Sequence, residues 1–102
     1  MPREIPARQL RARLEAGERL VVVDVREGWE IALAPVPQAL HMPMGDVEAR
    51  HGELDPRMET FVLCQGGVRS LHVARYLASQ GFLDVVNVAG GVTAMFAGDE
   101  SR

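Results

Sequence analysis

Three short aliphatic runs, separated by stretches with helical spacing, constrain the fold of this chain most strongly. The runs occupy residues 20–25, 60–63 and 85–88, and each is long enough for one buried strand. Apolar runs of this kind are typical of parallel strands, whose neighbours need crossover connections that helices usually supply. The pattern therefore predicts an α/β fold, with a small, open, mainly parallel β-sheet flanked by helices on both faces.

The segments between and around these runs fit that architecture. Apolar spacing and stop signals predict helices over residues 7–16, 27–34, 70–80 and 92–96, with a turn of helix at 46–51. A very short strand is expected at residues 40–42. A chain of 102 residues has room for one ordinary core, so residues 1–102 are predicted to form a single domain.

Composition and charge narrow the choice of partners. The apolar share is 47% and the net charge is −3, so neither a membrane span nor a basic face for nucleic acid is expected. The first residues lack the apolar segment of a secretory signal, which favours a cytoplasmic location. A single cysteine permits no internal disulfide, and the three histidines lack zinc-ligand spacing. We therefore expect no metal and no cofactor.

The only cysteine, Cys64, is the strongest candidate for chemistry. It lies between the strand at 60–63 and the helix predicted at 70–80, at the carboxyl end of a strand and facing the amino end of a helix. Free backbone N–H groups and the positive end of the helix dipole stabilise a thiolate there. A thiol with an unperturbed pKa of ~8.5 needs a drop of about two units to be mostly ionised at neutral pH.

The residues after Cys64 are predicted to bind a substrate: Gln65, Gly66, Gly67, Val68, Arg69 and Ser70. The two glycines can turn successive N–H groups inward, which makes an anion cradle around the sulfur. Arg69 is expected to contact an anion. Ser70 is interpreted as the helix cap, with a hydroxyl near the sulfur. A lone cysteine after a strand is more often a core residue, but this context favours a functional one.

Other polar residues are predicted at the same edge of the sheet. Ligands bind outside the carboxyl ends of parallel strands, and residues 24–26, 64–70 and 87–91 are the three candidate segments there. Asp24 and Arg26 end the first aliphatic run. They are interpreted as a structural ion pair, in which Asp24 could also orient Arg69 from behind. Trp29 is expected to pack on the sheet, with the mouth of the site as the alternative position, and His72 is expected to lie exposed on its helix.

Three motifs, in this order, resemble those of the rhodanese-homology family over nearly the whole chain. They are Val22-Val23-Asp24-Val25-Arg26-Glu27, Cys64-Gln65-Gly66-Gly67-Val68-Arg69-Ser70 and Val88-Ala89-Gly90-Gly91-Val92. The resemblance implies sulfurtransferase chemistry, in which Cys64 takes a sulfane sulfur as a persulfide and passes it on. A small anionic donor such as thiosulfate, and cyanide, a small thiol or a protein thiol as acceptor, are the partners it implies. Loop amides would hold the terminal sulfur.

Two other functions remain open. The phosphate-binding loops of phosphatases and arsenate reductases of related fold follow a pattern similar to Cys-x5-Arg. Here only four residues separate Cys64 from Arg69, and this shorter loop favours a sulfur substrate over a tetrahedral oxyanion. A non-catalytic interaction module is the second alternative, and the intact Cys64 and Arg69 speak against it. The chain departs from the family pattern at residues 34–41, which lack its usual histidine and glycines. The resemblance therefore does not predict how a substrate enters there.

Overall fold

Five parallel strands form the centre of this computed structural model, which describes residues 1–99; the last three residues of the predicted domain lie outside that part. The strands are β1 (Arg3–Pro6), β2 (Val21–Asp24), β3 (Leu40–His41), β4 (Thr60–Leu63) and β5 (Val85–Ala89). They lie in the order β1-β5-β4-β2-β3, and the pairings between these neighbours are parallel. The predicted α/β fold with a mainly parallel sheet is confirmed.

Within the described range, helices connect and cover the strands. They are α1 (Ala7–Glu15), α2 (Gly28–Leu33), α3 (Val47–Arg50), α4 (Val68–Ser79) and α5 (Gly91–Met95), and short 3-10 turns flank α3. The predicted helices agree with these bounds to within two residues at each end. Among residues 1–99 there is no helix that is both long and apolar enough to cross a membrane.

The strands bury alternate residues on opposite faces of the sheet, because successive side chains of a strand point to opposite sides. One core combines Val22, Phe61 and Val86 with residues of α1 and α5. The other combines Val23 and Val62 with residues of α4. Helices therefore pack on both faces, and the central strand β4 is buried along its whole length.

The register between the central strands determines which residues meet at the edge where they end. Asp24 pairs with Leu63 across β2 and β4, and the N–H of Val25 donates to the carbonyl of Leu63 at 2.9 Å. Cys64 follows immediately. The segment after β2 therefore runs beside the segment after β4, as expected where parallel strands end at one edge.

The secondary structure differs from the sequence prediction at its first strand and at the start of α4. The edge strand β1 was not predicted, because Arg3-Glu4-Ile5-Pro6 has no aliphatic run and only pairing with β5 makes it extended. Helix α4 begins at Val68 rather than at residue 70, and Gly67 is its N-cap. Ser70 is the third residue of the helix, so its interpretation as the cap is wrong.

Candidate active site

Cys64 lies at the base of a short loop between β4 and α4. The residue is 1% exposed. Its carbonyl oxygen accepts a hydrogen bond from the N–H of Val92 at 3.0 Å, and that of Gln65 accepts one from the N–H of Thr93 at 3.0 Å. These two bonds attach the start of the loop to the first turn of α5, so the position of the sulfur depends on α5 as well as on β4 and α4.

Glycine is required at two positions around this loop. Gly67 has φ +101°, and a Cβ there would lie 3.0 Å from the backbone nitrogen of Gly90. Gly91 has φ +59°, and a Cβ there would lie 2.4 Å from the carbonyl oxygen of Cys64. Both positions combine left-handed backbone with a close approach of two chain segments, which only glycine accommodates without strain. The Gly90-Gly91 motif of the sequence therefore supports the loop as well as making a turn.

Backbone N–H groups point at the sulfur, as the sequence predicted. Those of Gly67 and Ser70 donate to Sγ of Cys64 at 3.0 and 3.3 Å. Both come from the start of α4, where the first N–H groups have no partner within the helix. The sulfur thus takes the place of a helix cap and accepts the hydrogen bonds that Ser70 was expected to satisfy.

A buried hydrogen-bond chain, partly missed in the sequence analysis, continues from the sulfur. Sγ lies 3.2 Å from the hydroxyl of Ser70, whose oxygen lies 2.6 Å from Oδ1 of Asn87. The amide of Asn87 donates to Oε2 of Glu4 and to the carbonyl oxygen of Gly67, at 2.9 and 3.3 Å. Because those two atoms only accept, Oδ1 faces the Ser70 hydroxyl and can receive its proton while the cysteine is a neutral thiol that donates to the Ser70 oxygen. When the cysteine is ionised, the hydroxyl proton can turn to Sγ, and this donation lowers the pKa of the thiol.

These surroundings change the acidity of Cys64 in two directions. Burial raises the pKa of the thiol, whereas hydrogen bonds from Ser70, Gly67 and Gly66 lower it, and their combined effect is larger. The pKa therefore lies below its ordinary value. The predicted direction agrees with the structure, and the cause is the backbone amides at the start of α4 together with Ser70.

The two arginines beside the loop are each held by a carboxylate. Arg69 donates to both carboxylate oxygens of Glu30, at 2.7 and 2.6 Å. Arg26 donates to both oxygens of Asp24, at 3.0 and 2.8 Å, and is 0% exposed. The predicted Asp24–Arg26 ion pair is therefore present. The prediction that Asp24 orients Arg69 is wrong, because Glu30 occupies that position.

The side chain of Gln65 is also engaged. Its oxygen accepts from Arg26 at 3.3 Å, and its nitrogen donates to the hydroxyl of Thr93 at 3.0 Å. Gln65 thus links the loop to the end of β2 and to α5, and its side chain holds the loop in position. Gly66 and Val68 are exposed at the outer side of the loop, where an incoming molecule would meet them.

Two further residues were assigned from the sequence. His72 is exposed on α4, as expected, and lines a cleft of about 210 Å³ with Met44 and Tyr76. Trp29 is 68% exposed on α2, so the prediction that it packs on the sheet is wrong. Helix α2 has only six residues, and its buried position is taken by Glu30.

Glu30 is a site residue that the sequence analysis did not identify, and Asn87 was identified only as the start of the candidate segment 87–91, without its role beside Ser70. Glu30 is 39 residues from Arg69, and Asn87 is 17 residues from Ser70. A signal for Asn87 exists: it is the one polar residue within a buried aliphatic strand, and a buried amide requires partners. For Glu30 the signal is weaker: it follows β2, which ends at the same edge of the sheet as β4. Within residues 1–99 no cluster of side chains is suited to hold a metal.

The fold and the site together define a parallel α/β domain with a cysteine at the carboxyl end of a central strand, enclosed by backbone amides. The chain belongs to the rhodanese-like family, whose domain model matches residues 6–97. The crystal structure of a rhodanese-like domain protein from Staphylococcus aureus superimposes with a TM-score of 0.83 at 32% identity, covering 91% of this chain and 90% of that one.

Curated relatives agree with this assignment. "Putative sulfurtransferase YtwF" of Bacillus subtilis is 42% identical over 92 residues, which cover 90% of this chain and 88% of that protein. "Sulfurtransferase" of Allochromatium vinosum is 35% identical over 94 residues, covering 92% and 88%. "Thiosulfate sulfurtransferase GlpE" of Coxiella burnetii is 31% identical over 72 residues, covering 71% and 67%. These relatives support a rhodanese-type sulfurtransferase.

Proposed function

We propose that the protein transfers sulfane sulfur through a persulfide formed on Cys64. The observation that carries this proposal is the pair of backbone N–H groups, from Gly67 and Ser70, that donate to Sγ at 3.0 and 3.3 Å. Such donors stabilise a thiolate, which is the nucleophilic form of cysteine. The thiol's lowered pKa supports the same function.

In the first step the Cys64 thiolate attacks the outer sulfur of a donor. A bond forms between Sγ and that sulfur, and the donor's own sulfur–sulfur bond breaks. The leaving group takes the bonding electron pair: it is sulfite when the donor is thiosulfate, and a thiolate when the donor is a persulfide. The N–H groups of Gly67 and Ser70 remain available to Sγ throughout, because they belong to the first turn of a helix.

In the second step a nucleophilic acceptor, such as cyanide or a thiolate, attacks the outer sulfur of the Cys64 persulfide. The bond between that sulfur and Sγ breaks, and Sγ leaves with the electron pair as a thiolate. The same amides that stabilise the resting thiolate stabilise this leaving group, which lowers the barrier for transfer. The two steps balance without an oxidant, a reductant, a metal or an organic cofactor.

The proposed partners follow from the access to the sulfur. Cys64 is 1% exposed, so a donor has to present a slender terminal sulfur, and the acceptor can be a small thiol or a cysteine at a protruding protein segment. The chemistry needs Cys64 reduced between turnovers. A reducing compartment such as the cytoplasm supplies that condition, which is the location we propose.

The test combines intact mass with a transfer assay. After incubation with thiosulfate, the wild-type protein should gain the mass of one sulfur atom, which dithiothreitol removes, and it should form thiocyanate from cyanide. In Cys64→Ser the mass gain should disappear and transfer should fall by about a thousandfold or more. Ser79→Ala, which removes an exposed hydroxyl at the far end of α4, is the matched control and should keep full activity.

The alternatives give different results in the same samples. Hydrolysis of a chromogenic phosphate ester that depends on Cys64 would identify a phosphatase and contradict the proposal. A folded protein that gains no sulfur from thiosulfate or from a persulfide would identify a non-catalytic module. Full transfer activity in Cys64→Ser would refute the mechanism itself.

A further inference from the structure

The guanidinium group beside the loop opening already has an anionic partner. Three charged residues lie beside the opening: Arg69, Glu30 and Glu27. Arg69 donates two short hydrogen bonds, both to the carboxylate of Glu30. Glu30 is 8% exposed, and one of its carboxylate oxygens also accepts from the N–H of Glu27 at 2.9 Å. Paired hydrogen bonds between a guanidinium and a carboxylate are among the stronger polar contacts in proteins. An incoming anion would have to compete with them.

Arg26, the second arginine beside the loop, is no better placed than Arg69 to bind an incoming anion. Arg26 is completely buried and bound by Asp24. In the two segments that form the site, residues 24–30 and 64–70, the cationic side chains are Arg26 and Arg69, and the anionic ones are Asp24, Glu27 and Glu30. Carboxylates outnumber guanidinium groups even before the thiolate is counted.

The charge of the donor therefore matters for the first step. Thiosulfate brings two negative charges to the thiolate, so that three negative charges are present when the new bond forms. A neutral persulfide, R–S–SH, brings none at the reacting end, and its reaction gives the Cys64 persulfide and the thiolate RS⁻, with one negative charge before and after. Repulsion between close charges of the same sign is costly in a buried site.

We propose that Glu30 determines donor specificity: by occupying Arg69, it makes the site selective for persulfide donors of the R–S–SH class over dianionic thiosulfate. This inference rests on the proposed sulfur transfer and concerns only the donor. Arg69 becomes a support for the loop, and the recognition of the donor is left to its terminal sulfur and to the amides around Sγ. The exposed Gly66 and Val68 offer the R group an uncharged surface.

The first test uses the wild-type protein alone, with glutathione persulfide and thiosulfate as donors and a common thiol acceptor. The kcat/KM should be at least about tenfold higher for glutathione persulfide. Raising the ionic strength should increase kcat/KM for thiosulfate, because salt screens the repulsion between like charges. Equal efficiency for the two donors, or a decrease for thiosulfate with salt, would overturn the inference.

The second test removes the competing carboxylate. Glu30→Gln should raise the ratio of kcat/KM for thiosulfate to that for glutathione persulfide about tenfold, mainly through a lower KM for thiosulfate. Glu48→Gln removes the same charge from an exposed position on α3 and is the matched control, which should change neither value. No rise in this ratio in folded Glu30→Gln would contradict the assignment.

Failure of the proposed function looks different. In that case neither donor would place sulfur on Cys64, and no acceptor product would form with any variant. If only the specificity inference is wrong, both donors label Cys64 and thiosulfate serves as well as the persulfide. If Glu30→Gln does not fold, the donor comparison and the salt dependence of the wild-type protein still decide the matter.

Discussion

Arg26 and Arg69 each pair with a carboxylate beside the same loop, but their surroundings differ. The side chain of Arg26 is 0% exposed and also donates to the carbonyl oxygens of Glu30 and Ala34, at 3.3 and 2.8 Å. The side chain of Arg69 is 36% exposed and has Glu30 as its partner. The inner pair therefore joins the end of β2 to the segment after it, whereas the outer pair can be broken without opening the core. The same chemical pair serves as fixed support in one place and as an adjustable contact in the other.

The largest effect should come from breaking the inner pair. Asp24→Ala leaves the Arg26 guanidinium buried without its carboxylate, and removing one partner of a buried ion pair costs about 3–5 kcal/mol. Urea unfolding should show a loss of that size in the free energy of unfolding. Arg69→Ala, the corresponding change at the outer pair, should cost about 1 kcal/mol or less. Equal losses for the two variants would refute the distinction between the pairs.

The sequence was sufficient for the part of the site that is local in the chain. Cys64, its place after a strand and the need for glycine at residue 67 follow from adjacent residues, because an aliphatic run, a flexible residue and a helical pattern come in direct succession. The fold class followed for the same reason. Strand β1 did not, since its extended form depends on pairing with β5 at the other end of the chain.

The partners of the loop were beyond the sequence for a related reason. Glu30 reaches Arg69 across 39 residues, and Asn87 reaches Ser70 across 17, and both contacts depend on the order β5-β4-β2 in the sheet. From the sequence alone, Asp24 is an equally reasonable partner for Arg69, but in the structure Asp24 pairs with Arg26. Sequence position indicates which edge of the sheet a residue reaches, but the choice among carboxylates at that edge depends on distances of a few ångströms.

Gly66 and Gly67 allow the same comparison between an inner and an outer position to be made for the backbone of the loop. Gly67 has left-handed φ and faces the backbone of residues 88–90, whereas nothing lies within 4 Å of a Cβ built on Gly66. Gly67→Ala should cost about 1–3 kcal/mol through backbone strain and close contact, and it should also slow alkylation of Cys64 by displacing an N–H that binds the sulfur. Gly66→Ala should stay within about 0.5 kcal/mol of the wild type. The comparison fails if the two variants unfold at the same urea concentration.

The smallest effect concerns the outer pair and depends on pH. Hydrogen bonds from Arg69 lower the pKa of Glu30 to about 2, although burial acts in the opposite direction. Since this pKa lies below the unfolded value of ~4.3, the pair's contribution to stability is complete above that value and is lost as the pH falls towards 2. The pair is partly exposed, so the contribution should be only about 1 kcal/mol.

Urea unfolding of the wild type and Glu30→Gln at pH 7, 4 and 3 measures this contribution, which should shrink as Glu30 becomes protonated. The same substitution in an Arg69→Met background isolates the pair, because without the guanidinium the acid-dependent difference of this sign should vanish. A difference that stays constant from pH 7 to pH 3 would mean that Glu30 does not rely on Arg69 for its charge. Arg69 would then be free to receive a donor anion, and the contrast with Arg26 would be one of burial alone.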